Sequence, residues 1–475
     1  MKVAKLDAKL HHRLNSKYSK NLYSHHRLGG DAIGSGTYGC VFRPPLHCEN
    51  PADTPDTSKY ISKFMPKEEI VDELSEMRTI KNILLESKSL QFIEKYYILA
   101  NDEDVCAITL DLKSNYGKQN IKDLESGLYG YKANCEGIYR SIDYVKKYID
   151  NYAALNLLDG GTDLLNFIEN TRFTKDTFTK LNNSLIDVLK NGIVEMNKLG
   201  IYHCDLKPGN LVYNNSNVRI IDWGLATIIN TPITSLNLNS NINKIKLNGL
   251  LYYGMPFSNV IITEPNNFKK IINKYNTPDK YKTYLKKKYK NKAELKYFTT
   301  LDSFNKKFNK DSKKTLSDII ADNLVDIVYS GESFENYIKN VYFPNADVFA
   351  FLQIYIFILE KLNRQKHFVT LKENIKLLIK KYLLTSDYAT TPYPLDIIVS
   401  DLKSLMGSYK SPVKKSSVKK LKLKKKTSVK KSSVKKDCKG LTEIECNKLE
   451  NCIYARGSKR NFCRTKKNKK KIKSN

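Results

Sequence analysis

Four residues near the middle of the chain combine the side-chain types that phosphoryl transfer to a hydroxyl requires. Asp205, Lys207 and Asn210 lie within one six-residue stretch, on a loop constrained by Pro208. Such a reaction needs a proton acceptor for the hydroxyl, a cation near the moving phosphoryl group and a ligand for Mg²⁺. The three side chains supply these in that order. Asp222, seventeen residues after Asp205, offers a second carboxylate for the metal.

A glycine-rich segment precedes this cluster. Residues 34–41 read Gly-Ser-Gly-Thr-Tyr-Gly-Cys-Val, with the spacing G-x-G-x-x-G-x-V. Glycines allow backbone N–H groups to close over phosphates without a Cβ clash. The same spacing marks dinucleotide-binding folds, which need a helix directly after the glycines. Here Val41-Phe42-Arg43 is followed by Pro44 and Pro45, which do not fit inside a helix, so the pattern predicts a β-hairpin lid.

Together these segments resemble the protein-kinase family. Residues 203–210, His-Cys-Asp-Leu-Lys-Pro-Gly-Asn, are similar to its H-R-D-x-K-x-x-N motif, and Asp222-Trp223-Gly224 to its D-F-G motif. Asp205 and Asp222 could each be ordinary turn residues, but the order of the three motifs disfavours that interpretation. The resemblance covers about residues 28–405. It implies an α+β, two-lobed fold with a small β-rich N-lobe and a larger helical C-lobe.

The resemblance also implies ATP with Mg²⁺, or Mn²⁺ as an alternative, as cofactors. Asp205 and Lys207 would be catalytic, and Asn210 and Asp222 would bind the metal. The expected ATP-binding positions are Ile33, Gly34, Ser35, Gly36, Gly39, Val41, Lys63 and Glu76.

For two of these positions the sequence offers an alternative residue. Lys63 in Tyr-Ile-Ser-Lys matches the lysine that anchors the ATP phosphates, whereas Lys59 stands before the apolar strand begins. Glu76 is expected to pair with Lys63 because Glu-Met-Arg-Thr-Ile keeps the spacing of the family's first helix. Glu73, about one turn away, is the alternative.

Further positions follow from the same resemblance. Asp347 is similar to the buried aspartate that braces the catalytic loop from below. Residues 156–164, which include Asp159-Gly160-Gly161, resemble the hinge where adenine binds backbone groups. Lys207, two residues after the base, is typical of the serine/threonine branch.

The chain departs from the family pattern at several points. Cys204 replaces the usual arginine, so a phosphorylated activation loop has no obvious arginine to bind there, which favours constitutive activity or a different switch. Trp223, the only tryptophan, replaces phenylalanine. The A-P-E motif is missing, and Met255-Pro256-Phe257-Ser258 occupies its neighbourhood, which puts peptide docking in doubt more than ATP binding. A long insertion covers about residues 258–340. Residues 39–48, Gly-Cys-Val-Phe-Arg-Pro-Pro-Leu-His-Cys, together with the Met-Pro-Phe-Ser element and the Lys/Asn-rich insertions, resemble the divergent kinases of large nucleocytoplasmic DNA viruses (mimivirus-like).

Apolar periodicity predicts the elements that would position these residues. Helices are expected at 68–85, 163–199, 346–362 and 371–384, and mostly helical structure at 264–340. Strands are expected at 60–65, 210–213 and 218–221, with short β-rich runs in 95–112 and 151–158, separated by a polar stretch.

The composition of the 475 residues excludes a wholly disordered chain, because 41% are apolar and 11% aromatic. The net charge of +32 is concentrated at the end: residues 410–436 hold 13 lysines and no acidic residue.

The longest apolar run, 348–359, is too short to span a bilayer and contains Gln353. The N-terminus has no apolar signal-peptide core. We therefore expect a soluble protein that is neither secreted nor transmembrane.

Nine cysteines fall into two groups. Cys40, Cys48, Cys106, Cys135 and Cys204 are scattered, which suggests a reduced compartment. Cys438, Cys446, Cys452 and Cys463 are clustered without the C-x2–4-C pairs of a zinc site, so two disulfides fit that small unit better. Unpaired thiols in a disordered end are the alternative. Disulfides there would need an oxidising system, which is weak support for packaging into a virus particle.

Four copies of Ser/Thr-x-Val-Lys-Lys lie between residues 411 and 436, too poor in apolar residues to form a core. This segment is expected to bind either the phosphates of nucleic acid or an acidic surface. The alternative is a solvated spacer. The predicted organisation is an arm at 1–27, a kinase domain at 28–405, a lysine-rich linker at 406–437, a Cys-rich module at 438–463 and a basic tail at 464–475.

The predicted function is ATP-dependent phosphorylation of Ser/Thr hydroxyls of proteins by a viral kinase, with the host cytoplasm or the virion as its location. The alternative is an inactive kinase-like scaffold that binds nucleic acid or a virion component through its basic tail.

Overall fold

The computed structural model describes residues 31–36, 39–130, 134–229, 254–262, 267–290, 295, 298–310, 312 and 314–407, and the backbone of 452–456 and 461–465. The chain divides into two units, 1–410 and 411–475. In the second unit, β11 (Cys452–Arg456) and β12 (Asn461–Thr465) form an antiparallel hairpin. The predicted repeat linker, the basic tail, the N-terminal arm and the cysteine side chains of the C-terminal module lie outside the described residues.

The first unit begins with a five-stranded antiparallel sheet in the order β1-β2-β3-β5-β4. Its strands are β1 (Asp31–Ser35), β2 (Cys40–Arg43), β3 (Tyr60–Pro66), β4 (Val105–Cys106) and β5 (Tyr152–Leu158). The hairpin of β1 and β2 confirms the predicted lid geometry, although Thr37 and Tyr38 at its tip lie outside the described residues.

Helices cover both faces of this sheet. They are α1 (Lys67–Leu85), α2 (Leu90–Tyr96), α3 (Asn115–Tyr129), α4 (Glu136–Tyr139) and α5 (Ile142–Lys147). Successive side chains of a strand point to opposite faces, and β5 divides its residues accordingly. Ala153 and Leu155 belong to a core with α1 and α2, whereas Tyr152 and Ala154 belong to a second core under α3–α5.

The helices α3–α5 were missed by the sequence analysis, which treated this part of the chain as a polar stretch. Two of them, α3 and α5, are nevertheless capped in the usual way: the Ser114 side chain accepts from Tyr116 N and Gly117 N, and the Ser141 side chain from Tyr144 N. Apolar residues such as Leu124, Tyr139 and Val145 are few but fully buried against the sheet.

The second core also holds two disulfides, which correct the expectation of reduced scattered cysteines. Cys40 pairs with Cys135 and Cys48 with Cys106, with Cα–Cα distances of 5.8 Å and 5.6 Å. The partners are 95 and 58 residues apart. Cys135 lies just before α4 and reaches Cys40 on β2, while Cys48, in the segment after β2, forms a β-bridge with Ile108, just after β4. Each pairing therefore depends on the tertiary fold, and no spacing in the sequence could show it.

The C-lobe is built from helices, one three-stranded sheet and one two-stranded sheet. Its elements are β6 (Thr162–Asp163), α6 (Leu164–Asn170), α7 (Lys175–Asp187), a π-helical turn (Val188–Ile193), α8 (Val194–Lys198), β7 (Ile201–Tyr202), β8 (Leu211–Tyr213), β9 (Val218–Ile220), β10 (Thr227–Ile228), α9 (Asn259–Ile262), α10 (Asn267–Tyr275), α11 (Pro278–Tyr289), α12 (Thr299–Phe308), α13 (Leu316–Val328), α14 (Phe334–Tyr337), a second π-helical turn (Ile338–Tyr342), α15 (Phe343–Asn363), α16 (Val369–Tyr382) and α17 (Leu395–Lys403).

Most predicted elements are present, with one clear difference. The helix expected over 163–199 is interrupted at 171–174, because the Thr174 side chain accepts from Thr177 N and starts a new helix. Helical structure in the long insertion is confirmed for its described residues.

The central helix of the C-lobe, α15, is buried on almost all sides. Within the part of the chain that the structure describes, residues 334–363 are long and apolar enough to cross a membrane, but 89% of their apolar window is buried inside the domain. Packing of α6, α7, α12 and α16 around α15 explains this apolar composition without a membrane.

Candidate active site

The ion pair at the N-lobe side of the site corrects one prediction. Lys63 Nζ on β3 lies 2.6 Å from Glu73 Oε2 on α1, and both side chains are nearly buried, 14% and 9% exposed. The expected partner, Glu76, is one helical turn further along and only partly buried. Glu76 lies three residues after Glu73, so its position is rotated by about 60° around the helix axis relative to Glu73. It also lies about 4.5 Å further along the axis, away from β3.

The glycine hairpin lies directly over this lysine. Ile33 is an extra residue in β1, between the paired residues Ala32 and Gly34, so the strand bulges where the lid begins. Val41 pairs with Lys63 across β2 and β3. A Cβ on Gly39 would come within 3.0 Å of Lys63 Cγ. The absence of a side chain at Gly39 therefore leaves room for the methylene chain of Lys63. The turn is closed by a hydrogen bond of 2.8 Å from Gly36 N to Gly39 O.

The loop after β7 is held from below by Asp347 of α15. Its two carboxylate oxygens accept from His203 N and Cys204 N, both at 2.9 Å. Asp347 is fully buried, and this burial raises the pKa of its carboxyl, against the opposing effects of His203 and the two backbone N–H groups. The predicted bracing aspartate therefore fixes the position of the residues that precede Asp205.

Asp205, Lys207 and Asn210 meet at one point. Lys207 Nζ lies 2.7 Å from Asp205 Oδ2, and Asn210 Nδ2 donates to the same oxygen at 2.8 Å and to Asp205 O at 2.9 Å. The Asp205 side chain is 11% exposed. Its other oxygen, Oδ1, takes part in neither of these bonds, which suits a group that must accept a proton from a hydroxyl.

Asp222 follows β9 in a left-handed backbone conformation, with φ 67°, and its side chain is exposed. Cys204 has a similar φ of 60°. Non-glycine residues in this region store strain that the surrounding structure must hold, and such residues cluster at functional sites. Cys204 immediately precedes the candidate catalytic Asp205, and Asp222 is itself the candidate metal ligand.

Trp223 is fully buried and fixes the segment after Asp222. Its indole Nε1 donates to Ile98 O at 3.0 Å, and its ring contacts Tyr97 and His203 at centroid distances of 5.8 Å and 5.1 Å. His203 Nε2 in turn lies 2.9 Å from Ile221 O. Trp223 therefore joins the segment that follows α2, on the N-lobe side, to the catalytic loop.

The expected hinge region connects the lobes through a network that the sequence analysis missed. Asp159 N donates to Lys59 O at 2.7 Å, and Asp159 Oδ1 accepts from Arg43 Nη2 at 2.5 Å. Arg43 also donates to Gly161 O at 2.6 Å. Arg43 is a basic residue at the end of a β-hairpin, and Asp159 belongs to a D-G-G turn. Neither segment contains a sequence pattern that predicts a contact between residues so far apart in the chain.

The segment in place of the A-P-E motif packs against α15. Gln353 Nε2 donates to Gly254 O at 2.8 Å, and the Phe257 ring contacts Phe298 and Phe349 edge-on at 5.2 Å and 5.7 Å. Residues 230–253, where an activation loop would lie, are outside the described residues.

The residues present fit a nucleotide with a divalent cation. Asn210 and Asp222 offer the amide and carboxylate oxygens that Mg²⁺ prefers, and Lys63 offers a cation for phosphate. Among the described residues no three His, Cys, Asp or Glu side chains form a metal cluster.

Comparison with known proteins gives a match to a family model and a match to a curated relative. Residues 124–242 match the family model described as the protein kinase domain. A stretch of 115 residues is 32% identical to a "Probable dual specificity protein kinase YAK1 homolog" of Encephalitozoon cuniculi (strain GB-M1). The matched stretch spans 24% of this chain and 27% of the relative.

Both matches support the eukaryotic-type protein kinase superfamily. The chain has the two-lobed α+β fold of a protein kinase domain. The family match includes Asp205, Lys207, Asn210 and Asp222, but it ends before Asp347 and begins after the glycine hairpin and Lys63. The assignment of these other parts to the same fold rests on the geometry described above.

Proposed function

We propose that this protein is an active serine/threonine-protein kinase that uses ATP and Mg²⁺. The observation that supports this most strongly is the joint presence of two arrangements. The Lys63–Glu73 ion pair is formed, and Asp205, Lys207 and Asn210 are hydrogen-bonded to one another on a loop anchored to Asp347.

In this proposal each residue has one task. Asp205 orients the substrate hydroxyl and accepts its proton, while Lys207 offsets the negative charge that develops on the transferred group. Lys63, held by Glu73, binds the nucleotide phosphates under the glycine hairpin. The metal held by Asn210 and Asp222 would supply charge neutralisation of the phosphates. Asp347 acts as a positioning residue through the backbone of 203 and 204.

The preference for Ser/Thr rests on Lys207, since the resemblance associates a lysine two residues after the base with that branch. The relative from Encephalitozoon cuniculi is named as a probable dual specificity kinase, so tyrosine is the acceptor to test against. Phosphoamino-acid analysis of a phosphorylated protein substrate is expected to give phosphoserine and phosphothreonine. Phosphotyrosine as the main product would contradict the assignment.

A second candidate, the kinase-shaped scaffold, is favoured by Cys204 in place of arginine and by the missing A-P-E motif. Thermal unfolding with and without MgATP separates the two. At a hundred times its Kd, a nucleotide stabilises the folded state by about 2.7 kcal/mol and raises the Tm by several degrees. No shift at saturating MgATP, together with tight salt-sensitive DNA binding, would favour the scaffold.

We also infer, from the resemblance alone, a source in a large nucleocytoplasmic DNA virus and a location in the host cytoplasm or the virion. The lysine-rich segment 410–436, with 13 lysines and no acidic residue, would bind phosphates of nucleic acid. Removal of residues 410–475 should then flatten the dependence of DNA affinity on salt concentration. An unchanged salt dependence would contradict this part of the proposal.

A further inference from the structure

A cleft of about 540 Å³ opens at the hinge between the end of β2, the start of β3 and the turn that joins β8 to β9. Its lining includes Arg43, Lys59, Asp159 and Arg219. The groups assigned to the ATP phosphates and the metal, namely the glycine hairpin, Lys63, Asn210 and Asp222, do not line it, whereas Leu158, Asp159, Gly161 and Thr162 of the expected adenine hinge do. The cleft is therefore separate from the groups proposed to transfer the phosphoryl group, although it shares residues with the hinge.

The charge of this cleft is unbalanced. Three of its lining residues are cationic and only Asp159 is acidic. Asp159 is already engaged with Arg43, whose Nη2 also donates to the carbonyl of Gly161. These two bonds fix the guanidinium of Arg43 in place, while its Nε is buried without a hydrogen-bond partner.

Arg219 is the more unusual of the two arginines. It lies on β9 between Val218 and Ile220, which both face the core. No described carboxylate lies within 4 Å of its guanidinium, and its Nε is also buried without a partner. Arg219 as a whole is partly exposed, so the part of its side chain that a ligand in the cleft can reach is the end of the guanidinium rather than the buried Nε.

The residue type supports the same conclusion. The chain has 70 lysines and only 11 arginines, yet two arginines line this cleft. Arginine differs from lysine in presenting a planar fork of donors that matches the oxygens of phosphate. The neighbouring Asn214 uses its Oδ1 inside the turn, accepting from Ser216 N and Asn217 N, so its NH₂ group is the part able to donate to a ligand.

We propose that this cleft binds a phosphate group through Arg43, Arg219 and Lys59. With Asp159 included, the lining carries a net charge of +2, and Asp56, which lies 3.1 Å from Lys59 outside the lining, reduces the local charge to +1, which still favours an anion. The phosphate could belong to a phosphorylated protein segment or be a small phosphate-bearing molecule, because both present the same group. Either occupant would lie at the hinge that joins the two lobes.

The test measures binding of a fluorescent phosphothreonine peptide to the full chain at physiological salt, with inorganic phosphate as a competitor. Arg219→Gln should weaken peptide binding at least tenfold, and Arg219→Lys should weaken it less. Arg364→Gln is the matched control, since Arg364 is exposed and far along the chain at the end of α15, and it should change binding less than twofold. Lys63→Ala should also leave binding unchanged, which separates this site from catalysis.

The two sources are distinguished by the competitor. A phosphopeptide that binds at least tenfold more tightly than inorganic phosphate identifies a protein segment, whereas equal affinities identify a small phosphate-bearing molecule, and both support the site. Equal losses in Arg219→Gln and Arg364→Gln would overturn it, because binding would then follow general basicity. Absence of Arg219-dependent binding in a variant that melts like the wild type would overturn it as well.

Discussion

Substitution of Glu73 by glutamine removes one charge from the Lys63 pair while keeping the size of the side chain. The 2.6 Å contact is a charge-assisted hydrogen bond between two largely buried groups, and such a bond contributes about 1.5–3 kcal/mol. Because each 1.4 kcal/mol is a factor of ten in rate, misplacement of Lys63 should lower kcat/KM for ATP by about 10- to 150-fold. The folded state should lose about 1–3 kcal/mol, less than a fully buried pair would.

Glu76→Gln is the matched control, on the same helix one turn away. We expect it to change kcat/KM less than about threefold, since Glu76 does not form the ion pair with Lys63. The assay is the initial rate of phosphorylation of a generic basic protein as a function of ATP concentration, with thermal unfolding of each variant. A larger loss in Glu76→Gln than in Glu73→Gln would refute the assignment of Glu73, and wild-type rates in both would refute the role of the pair.

Three further predictions concern other parts of the domain. Gly39→Ala should raise the KM for ATP several-fold in steady-state kinetics, because its Cβ would press on Lys63 at 3.0 Å, whereas Gly34→Ala, with no atom within 4 Å of its Cβ, should change it little. Burial alone would raise the pKa of the Asp318 carboxyl, but Lys286 and Thr315 lower it from 3.8 to about 2. With solvent screening, this contributes about 1 kcal/mol of stability above pH 3.8 that is lost as the pH falls towards 2. Unfolding of Asp318→Asn in urea should therefore differ from the wild type at pH 7 and converge with it near pH 2. Reduction by a dithiol should lower the free energy of unfolding by about 2–4 kcal/mol for each disulfide, because two loops of 58 and 95 residues lose their closure; alkylation of all four thiols in the unreduced native protein would contradict this.

Local motifs made much of the site predictable. Residues 203–210 and 222–224 are each contiguous, so their relative positions depend on a few backbone angles rather than on the whole fold. The two prolines that follow Val41-Phe42-Arg43 were enough to distinguish a hairpin from a dinucleotide-binding turn. The strong helical periodicity of 67–85 likewise predicted α1 to within one residue.

What could not be predicted depends on contacts between distant residues. Glu73 and Glu76 lie on neighbouring faces of one helix, and only the rotation of α1 against β3 decides which of them reaches Lys63. The same holds for Arg43 and Asp159, 116 residues apart. The helices α3–α5 were missed because their apolar residues are few and the sheet, rather than periodicity, determines which of them are buried.

The most direct test of the central claim is transfer of labelled γ-phosphate from ATP to protein, measured side by side for the wild type and the Asp205→Ala/Asp222→Ala double variant. Both proteins are first shown to be folded by their thermal unfolding. The account predicts steady incorporation by the wild type and only background incorporation by the double variant, because the proton acceptor and a metal ligand are both lost. Undiminished transfer by the folded double variant would contradict it.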